Sequence, residues 1–313
     1  MYAYIVRRLL ATIPVMGVVA IFVFFILHLA PGDPAAVIAG NYAMPEDIVR
    51  IRTQLGLDKP LHEQLVTWLI RVMQGDLGDS IFSDMPVTTL ISQRLEPTLW
   101  LAISSILIAV VIAVPLGVLA AARAGSWLDH AVMVFAVFGF SVPVFIIAYA
   151  LMYGFSVELK IFPVQGFVSI TEGFLPFLRS ITLPSLSLGL LYAALIARIT
   201  RASLLRVLED DYIRTAHAKG QSEGKVLCLH ALKNAAVPII TVIGIGFSLL
   251  IGGVVVTESV FNIPGLGRLV VDSVLQRDYP VIQGIILMFS AVYVIVNLLV
   301  DISYTFFDPR IRY

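Results

Sequence analysis

The chain has 313 residues, of which 59% are hydrophobic and 13% charged, with a mean hydropathy of +0.94 and 21 basic residues balancing 21 acidic ones. A soluble domain is roughly half apolar and about a quarter charged, so this composition excludes one and points to an integral membrane protein. Zero net charge argues against a nucleic-acid partner. The single cysteine, Cys228, excludes an intrachain disulfide and reads as a reduced thiol packed between Leu227 and Leu229.

Six windows lack Asp, Glu, Lys and Arg: 9–32, 97–122, 131–157, 180–197, 234–257 and 279–300. Each approaches the roughly 20 apolar residues that cross a bilayer as a helix. Arg7 and Arg8 precede the first window as in a signal peptide, but its apolar core is too long for one and no A-x-A site follows. It is expected to be an uncleaved first span. The fold class predicted is an all-α membrane protein with six transmembrane helices.

Segment 33–96 separates the first two windows and carries nine acidic and five basic residues. Pro45 can open a helix there, with Ile48, Ile51 and Leu55 at helical spacing before Gly56. A second starts near Pro60, bears the stripe Leu61, Leu65, Trp68, Leu69 and Val72, and ends at Gly75. A third, short one starts at Pro86 with Val87, Leu90 and Ile91. Such pieces cannot form a free-standing core, so they are expected against the outer membrane face or capping a pore. Loop 158–179 reads as a short connection. Loop 258–278 holds Phe261-Asn262-Ile263-Pro264-Gly265-Leu266-Gly267, either a plain turn or a glycine loop that approaches a ligand.

The distribution of Lys and Arg sets the orientation. With the N-terminus in the cytosol, twelve basic residues lie inside and four (Lys160, Arg179, Arg268 and Arg277) in the short outside loops. Both termini are therefore expected in the cytosol.

Ionisable groups at membrane depth usually mark ion-coupled transporters, and no Asp, Glu, Lys or Arg lies inside the windows. Asn297 and Asp301, four apart, read as structural partners near the inner interface. Candidate pathway-lining polar groups are Ser104, Ser105, Ser141, Tyr149, Tyr153, Tyr192, Ser248 and Tyr293. Gly139-Phe140-Ser141 suggests an intramembrane serine protease, but that chemistry needs a histidine base, and neither His28 nor His130 is placed for it. The sequence has no HExxH, no CxxC and no Gly-Lys-Ser/Thr phosphate loop. A passive membrane body driven by another chain is the reading that remains. A self-sufficient channel or secondary transporter is the alternative from another class.

The polar stretch 198–238 is where that other chain would act. It has seven basic residues against four acidic ones, Glu209, Asp210, Asp211 and Glu223. Leu204, Leu205 and Leu208 share one face of a helix continuing the fourth window, with Arg198, Arg201 and Arg206 towards water. A second helix opens at Asp210 and Asp211, as N-cap and first-turn charges, and stops at Gly220, the residue type of a left-handed C-terminal cap.

The run Asp211-Tyr212-Ile213-Arg214-Thr215-Ala216-His217-Ala218-Lys219-Gly220, followed by 230–238 (HALKNAAVP), resembles the cytosolic loop of ABC-importer permeases. More narrowly, it is similar to the dipeptide/oligopeptide/nickel permease family, first-permease type. Segments 28–35 (HLAPGDPA), 260–267 (VFNIPGLG), 277–284 (RDYPVIQG) and 308–313 (DPRIRY) match the same family, so the resemblance covers essentially the whole chain.

The resemblance implies a type I ABC importer permease with the first transmembrane helix in 1–32. An extracytoplasmic helical insert would follow in 33–96, and a five-helix core with coupling loop 198–238 in 97–313. It implies that this loop forms a coupling helix seated in a groove of a cytosolic ATPase. Ala216, Ala218 and Gly220 would permit close docking. Asp211, Arg214, Lys219 and Glu223 would act as polar contacts or caps, and Tyr212, Thr215 and His217 complete the contact set. His217 departs from the family pattern, where relatives often carry Arg.

The implied partners are a second permease subunit, two cytosolic ABC ATPase subunits, an extracytoplasmic solute-binding protein and membrane lipid, in a bacterial inner membrane. The chain itself is expected to be non-catalytic and to bind no cofactor, with ATP and Mg on the ATPases. Short peptides are the leading cargo, with glutathione, nickel chelates or another small solute as alternatives.

Overall fold

The computed structural model of the chain describes residues 2–29, 35–36, 44–54 and 57–307. Most of the 28–35 motif, the helix stop at Gly56 and the 308–313 motif lie outside those residues. The principal helices are α1 (Tyr2–Leu29), α2 (Pro45–Gln54), α3 (Leu61–Met73), α4 (Val87–Ala122), α5 (Trp127–Ser141) and α6 (Val144–Leu151). There follow α7 (Phe174–Leu208), α8 (Asp211–Ala218), α9 (Glu223–Asn234), α10 (Ala236–Val260), α11 (Leu266–Gln276) and α12 (Tyr279–Phe307). A π-helical segment, Met152–Glu158, extends α6.

Helices α1, α4, α7 and α12 are long and apolar enough to cross a membrane, and two bent pairs bring the number to six when each counts as one span. One pair is α5 with α6, at 103° to each other. The third window is therefore not one straight helix. Val142, before Pro143, is extended at φ −85° and ψ 124°, the conformation that a following proline imposes, and α6 restarts with Pro143 at its N-cap. The other pair is α9 with α10, bent by 61°.

The chain divides into two compact units, one of residues 96–267 and 295 onwards, the other of 2–95 and 268–294.

In the first unit α7 is the centre, packed against α10, α5 and α6. Its core includes Leu188, Ala193, Ile196 and Ala197, with Leu101, Ala109 and Ala113 of α4 and Leu250 and Val254 of α10. Small residues let these backbones meet. A Cβ on Gly117 would lie 2.8 Å from the Ala197 carbonyl, one on Gly139 2.9 Å from Ala194 Cβ, and one on Gly189 3.0 Å from the Ser105 carbonyl. Close backbone approach of this kind is how helices associate where no hydrophobic force separates them from lipid.

In the second unit the predicted stripe of α3 finds its partners. Trp68, Leu69 and Val72 pack against Ala20 and Val23 of α1 and Leu287 of α12. The Trp68 and Phe24 rings are 5.8 Å apart. Gln283 Nε2 donates to the buried Val23 carbonyl at 3.1 Å. The buried Asp278 carboxylate, at the start of α12, accepts from Ser80 Oγ at 2.5 Å and Ile81 N–H at 3.2 Å.

Other sequence expectations change as well. The short helix expected at Pro86 is the beginning of α4, which runs through Pro97 without a break. Loop 258–278 contains α11, whose Leu266, Leu269 and Ser273 are buried at helical spacing. Its glycines serve internal packing. A Cβ on Gly265 would collide with the Glu258 carboxylate, and one on Gly267 would lie 2.7 Å from Val255 Cα. Cys228 is exposed rather than packed.

Candidate functional site

The polar loop is built from α8 and α9. An isolated helix of eight residues is marginal in water, so α8 needs tertiary support. Ile213 supplies it. The side chain is fully buried with Leu204 of α7, Val226 and Ala231 of α9, Ala121 of α4 and Ile239 of α10. Burial of one such side chain contributes about 2 kcal/mol. Ala216, half-buried on the same face, packs against this cluster.

Both ends of α8 fall where the sequence puts them. Asp210 is the N-cap residue, extended at φ −69° and ψ 145°, although its side chain makes no capping hydrogen bond. At the other end the Gly220 N–H donates to the His217 carbonyl at 2.8 Å and the Gln221 N–H to the Ala216 carbonyl at 3.2 Å. With Gly220 at φ +75°, this is a complete Schellman motif. Among the described residues, chain neighbours aside, nothing lies within 4 Å of a Cβ built on Gly220, so its backbone angle is what calls for glycine.

The outer face of α8 is polar and open. Asp211, Tyr212, Arg214, Thr215, His217, Ala218, Lys219, Gly220 and Glu223 are all exposed. Arg214 Nη1 is 3.4 Å from Asp211 Oδ1. Thr215 Oγ1 donates to the Asp211 carbonyl at 3.0 Å. His217 Nδ1 lies 3.5 Å from Glu223 Oε1, so the imidazole faces a carboxylate across the turn between α8 and α9. Exposed pairs of this type contribute little to stability and leave their charges available.

A further ion pair stands behind the loop. Arg201, expected towards water, is half-buried and forms a two-point salt bridge with Asp129 of α5. The second contact, Nη2 to Oδ2, is 2.6 Å. Asp129 also accepts from the Gly125 N–H at 2.9 Å, and its own N–H donates to the N-cap Ser126 Oγ at 3.4 Å. Sequence reasoning passed over Asp129, though Ser126-Trp127-Leu128-Asp129 ahead of an apolar run is a capping signature. The pair ties α7 to α5 two turns before α7 ends, roughly 10 Å from the loop at 1.5 Å per residue.

A second buried acid escaped notice because it lies one residue past the fifth window. Glu258 is fully buried near the end of α10. Thr98 Oγ1 donates to its Oε1 at 2.6 Å and accepts from the Leu266 N–H at 2.8 Å. This ties α4, α10 and the glycine turn together at the end of the core opposite the polar loop.

The candidate pathway groups fall in different places. Ser104 is hydrogen-bond distance from Ser185 Oγ, at 2.5 Å. Ser105 and Tyr192 are buried, and Tyr149, Tyr153 and Tyr293 are exposed large side chains. Ser248 donates to the Gly244 carbonyl of its own helix at 3.0 Å.

Comparison with known proteins gives the family. Residues 113–313 match the model of the binding-protein-dependent transport system inner membrane component, and residues 1–102 match its N-terminal companion. The probable peptide ABC transporter permease protein y4tP of Sinorhizobium fredii is 53% identical over 313 residues, covering 100% of both chains. The glutathione transport system permease protein GsiC of Salmonella choleraesuis is 46% identical over the same full length. Among solved structures, an inward-facing MetNI methionine ABC transporter chain superposes with a TM-score of 0.57 at 17% identity, over 70% of this chain and 96% of that one. That likeness extends to the fold, a type I ABC importer permease. The helical architecture, the family models and the full-length relatives agree: the chain belongs to the inner-membrane permease family of binding-protein-dependent ABC transport systems.

Proposed function

We propose that this permease imports short peptides and that α8 is its coupling helix, docked in a groove of a cytosolic ABC ATPase. The observation that carries the coupling assignment is the pairing of one buried anchor, Ile213, with an open polar face and a Gly220 stop. A helix held from behind and bare in front can receive a push and pass it to α7 and α9. The Arg201–Asp129 bridge then carries the displacement from α7 to α5.

The cargo reading is supported by the relatives, which are named for peptide and for glutathione transport. Glutathione is itself a tripeptide, so the two share one chemical class. The chain supplies the pathway and no catalytic group. The Ser141 hydroxyl donates to the Val137 carbonyl of its own helix at 2.8 Å, and the His130 ring nitrogen meets the Ser126 carbonyl at 2.7 Å. ATP and Mg belong to two partner ATPases. A second permease and an extracytoplasmic binding protein complete the assembly, with both termini of this chain in the cytosol.

Two substitutions at Gly220 test the coupling assignment. Gly220→Asn keeps a residue that tolerates the left-handed backbone, whereas Gly220→Asp adds a charge at the same place. Reconstituted with its partner subunits, Gly220→Asp is expected to stay in the membrane while losing the ATPase or its coupling to uptake. Gly220→Asn is expected to keep most activity. Wild-type transport by Gly220→Asp would refute the assignment of α8. Co-purification of the subunits from native membranes, followed by peptide and glutathione binding to the captured binding protein, tests partners and cargo separately.

A further inference from the structure

We propose that a cleft between the end of the π segment and the first turns of α7 binds the headgroup phosphate of an anionic phospholipid, held between Lys160 and Arg179. The cleft has a volume of about 460 Å³ and is lined by Lys160, Phe162, Pro163, Phe167, Pro176 and Arg179, among others.

Its walls are fixed by hydrogen bonds. The Gly166 N–H donates to the Phe261 carbonyl at 2.9 Å, the Val168 N–H to Ser180 Oγ at 3.2 Å, and Ser156 Oγ to the Pro163 carbonyl at 3.1 Å. The Phe167 and Phe177 rings meet edge to face at 6.1 Å.

No carboxylate lies within 4 Å of Lys160 or Arg179 among the described residues. Glu96 accepts from Ser169 Oγ at 2.6 Å, and the Glu158 carboxylate interacts with the Tyr153 hydroxyl.

The position of both cations identifies the ligand. Lys160 comes three residues after the charge-free window ending at Val157, and Arg179 immediately precedes the one starting at Ser180. They therefore sit at the hydrocarbon boundary on the same side of the membrane, the level of lipid phosphates. The side chains around them are apolar and open: Leu159, Ile161, Phe174 and Leu175 are each at least 50% exposed. These can support an acyl chain while the two cations hold the phosphate. A net negative headgroup is favoured, because a zwitterionic lipid carries its own compensating cation.

The test is native mass spectrometry of the delipidated transporter titrated with phosphatidylglycerol or with phosphatidylethanolamine of the same chain length. Wild-type protein is expected to take up phosphatidylglycerol saturably and in preference. Lys160→Ala with Arg179→Ala should weaken that binding about thirtyfold, as expected for two cations near a membrane surface. The swap Lys160→Arg with Arg179→Lys should retain it, and Lys225→Ala with Lys233→Ala on the polar loop should leave it unchanged.

Equal uptake of the two lipids by the wild type, or unchanged phosphatidylglycerol binding by the double alanine variant, overturns the proposal. If that variant keeps its lipid but loses stimulation of ATPase activity by the binding protein, the cleft takes an acidic protein side chain instead. Should the double variant fail to fold, Arg179→Gln alone gives the same readout.

Discussion

Asp129 with Arg201 and Asp211 with Arg214 are both aspartate–arginine pairs, yet only 4% of the Asp129 side chain is exposed against 97% of Asp211. The first joins two helices of the membrane body, and its buried carboxylate also accepts from the Gly125 N–H. The second spans three residues of one short helix and leaves both charges facing water. Identical chemistry thus braces the body in one place and leaves an open charged face in the other. Burial decides which, because a charge withdrawn from water must keep its partner while a solvated one can exchange it.

The largest effect should come from breaking the brace. Asp129→Ala is expected to cost about 3 kcal/mol by stranding the half-buried Arg201, read as a lowered unfolding midpoint of the purified transporter. Asp129→Leu combined with Arg201→Met should recover most of that loss. An unchanged midpoint for Asp129→Ala would show that the pair is not a brace. Next comes Ile213→Ala, at about 2 kcal/mol of local stability. Its effect should appear as faster amide exchange across 209–222 with the membrane body unchanged, since α8 can open without global unfolding. Equally raised exchange in α5 would mean that loop and body are a single cooperative unit. The smallest effect on stability is expected from Arg214→Ala, which should leave the midpoint in place and weaken only ATPase recovery on co-purification.

What the sequence disclosed, and what it withheld, follows from the range of each signal. Charge-free windows located the membrane helices because the bilayer makes a local demand on composition. The limits of α8 were legible because Asp210 and Gly220 act within one helical turn. The continuity of α4 through Pro97 was not. Proline normally ends a helix, and here packing overrides it, with Val87 and Ile91 buried on one side and Thr98 bound to Glu258 on the other. Helix α11 was hidden by Gly265 and Gly267, although Leu266, Leu269 and Ser273 already carried its period. Arg201 was read towards water because helical spacing describes one helix, whereas Asp129 lies 72 residues away on another. Of the proposed docking set, the family resemblance named the residues, but only the folded chain shows Ala216, expected to permit close docking, packed inward against the core while Ala218 is exposed.

Cys228 stands exposed on α9, in the same polar loop, and it is the only thiol in the chain. The protein therefore carries a natural attachment point for a spin label or fluorophore, with no background sites to remove. A probe there would report distance changes at the polar loop during the transport cycle, in a chain whose sequence has not been altered.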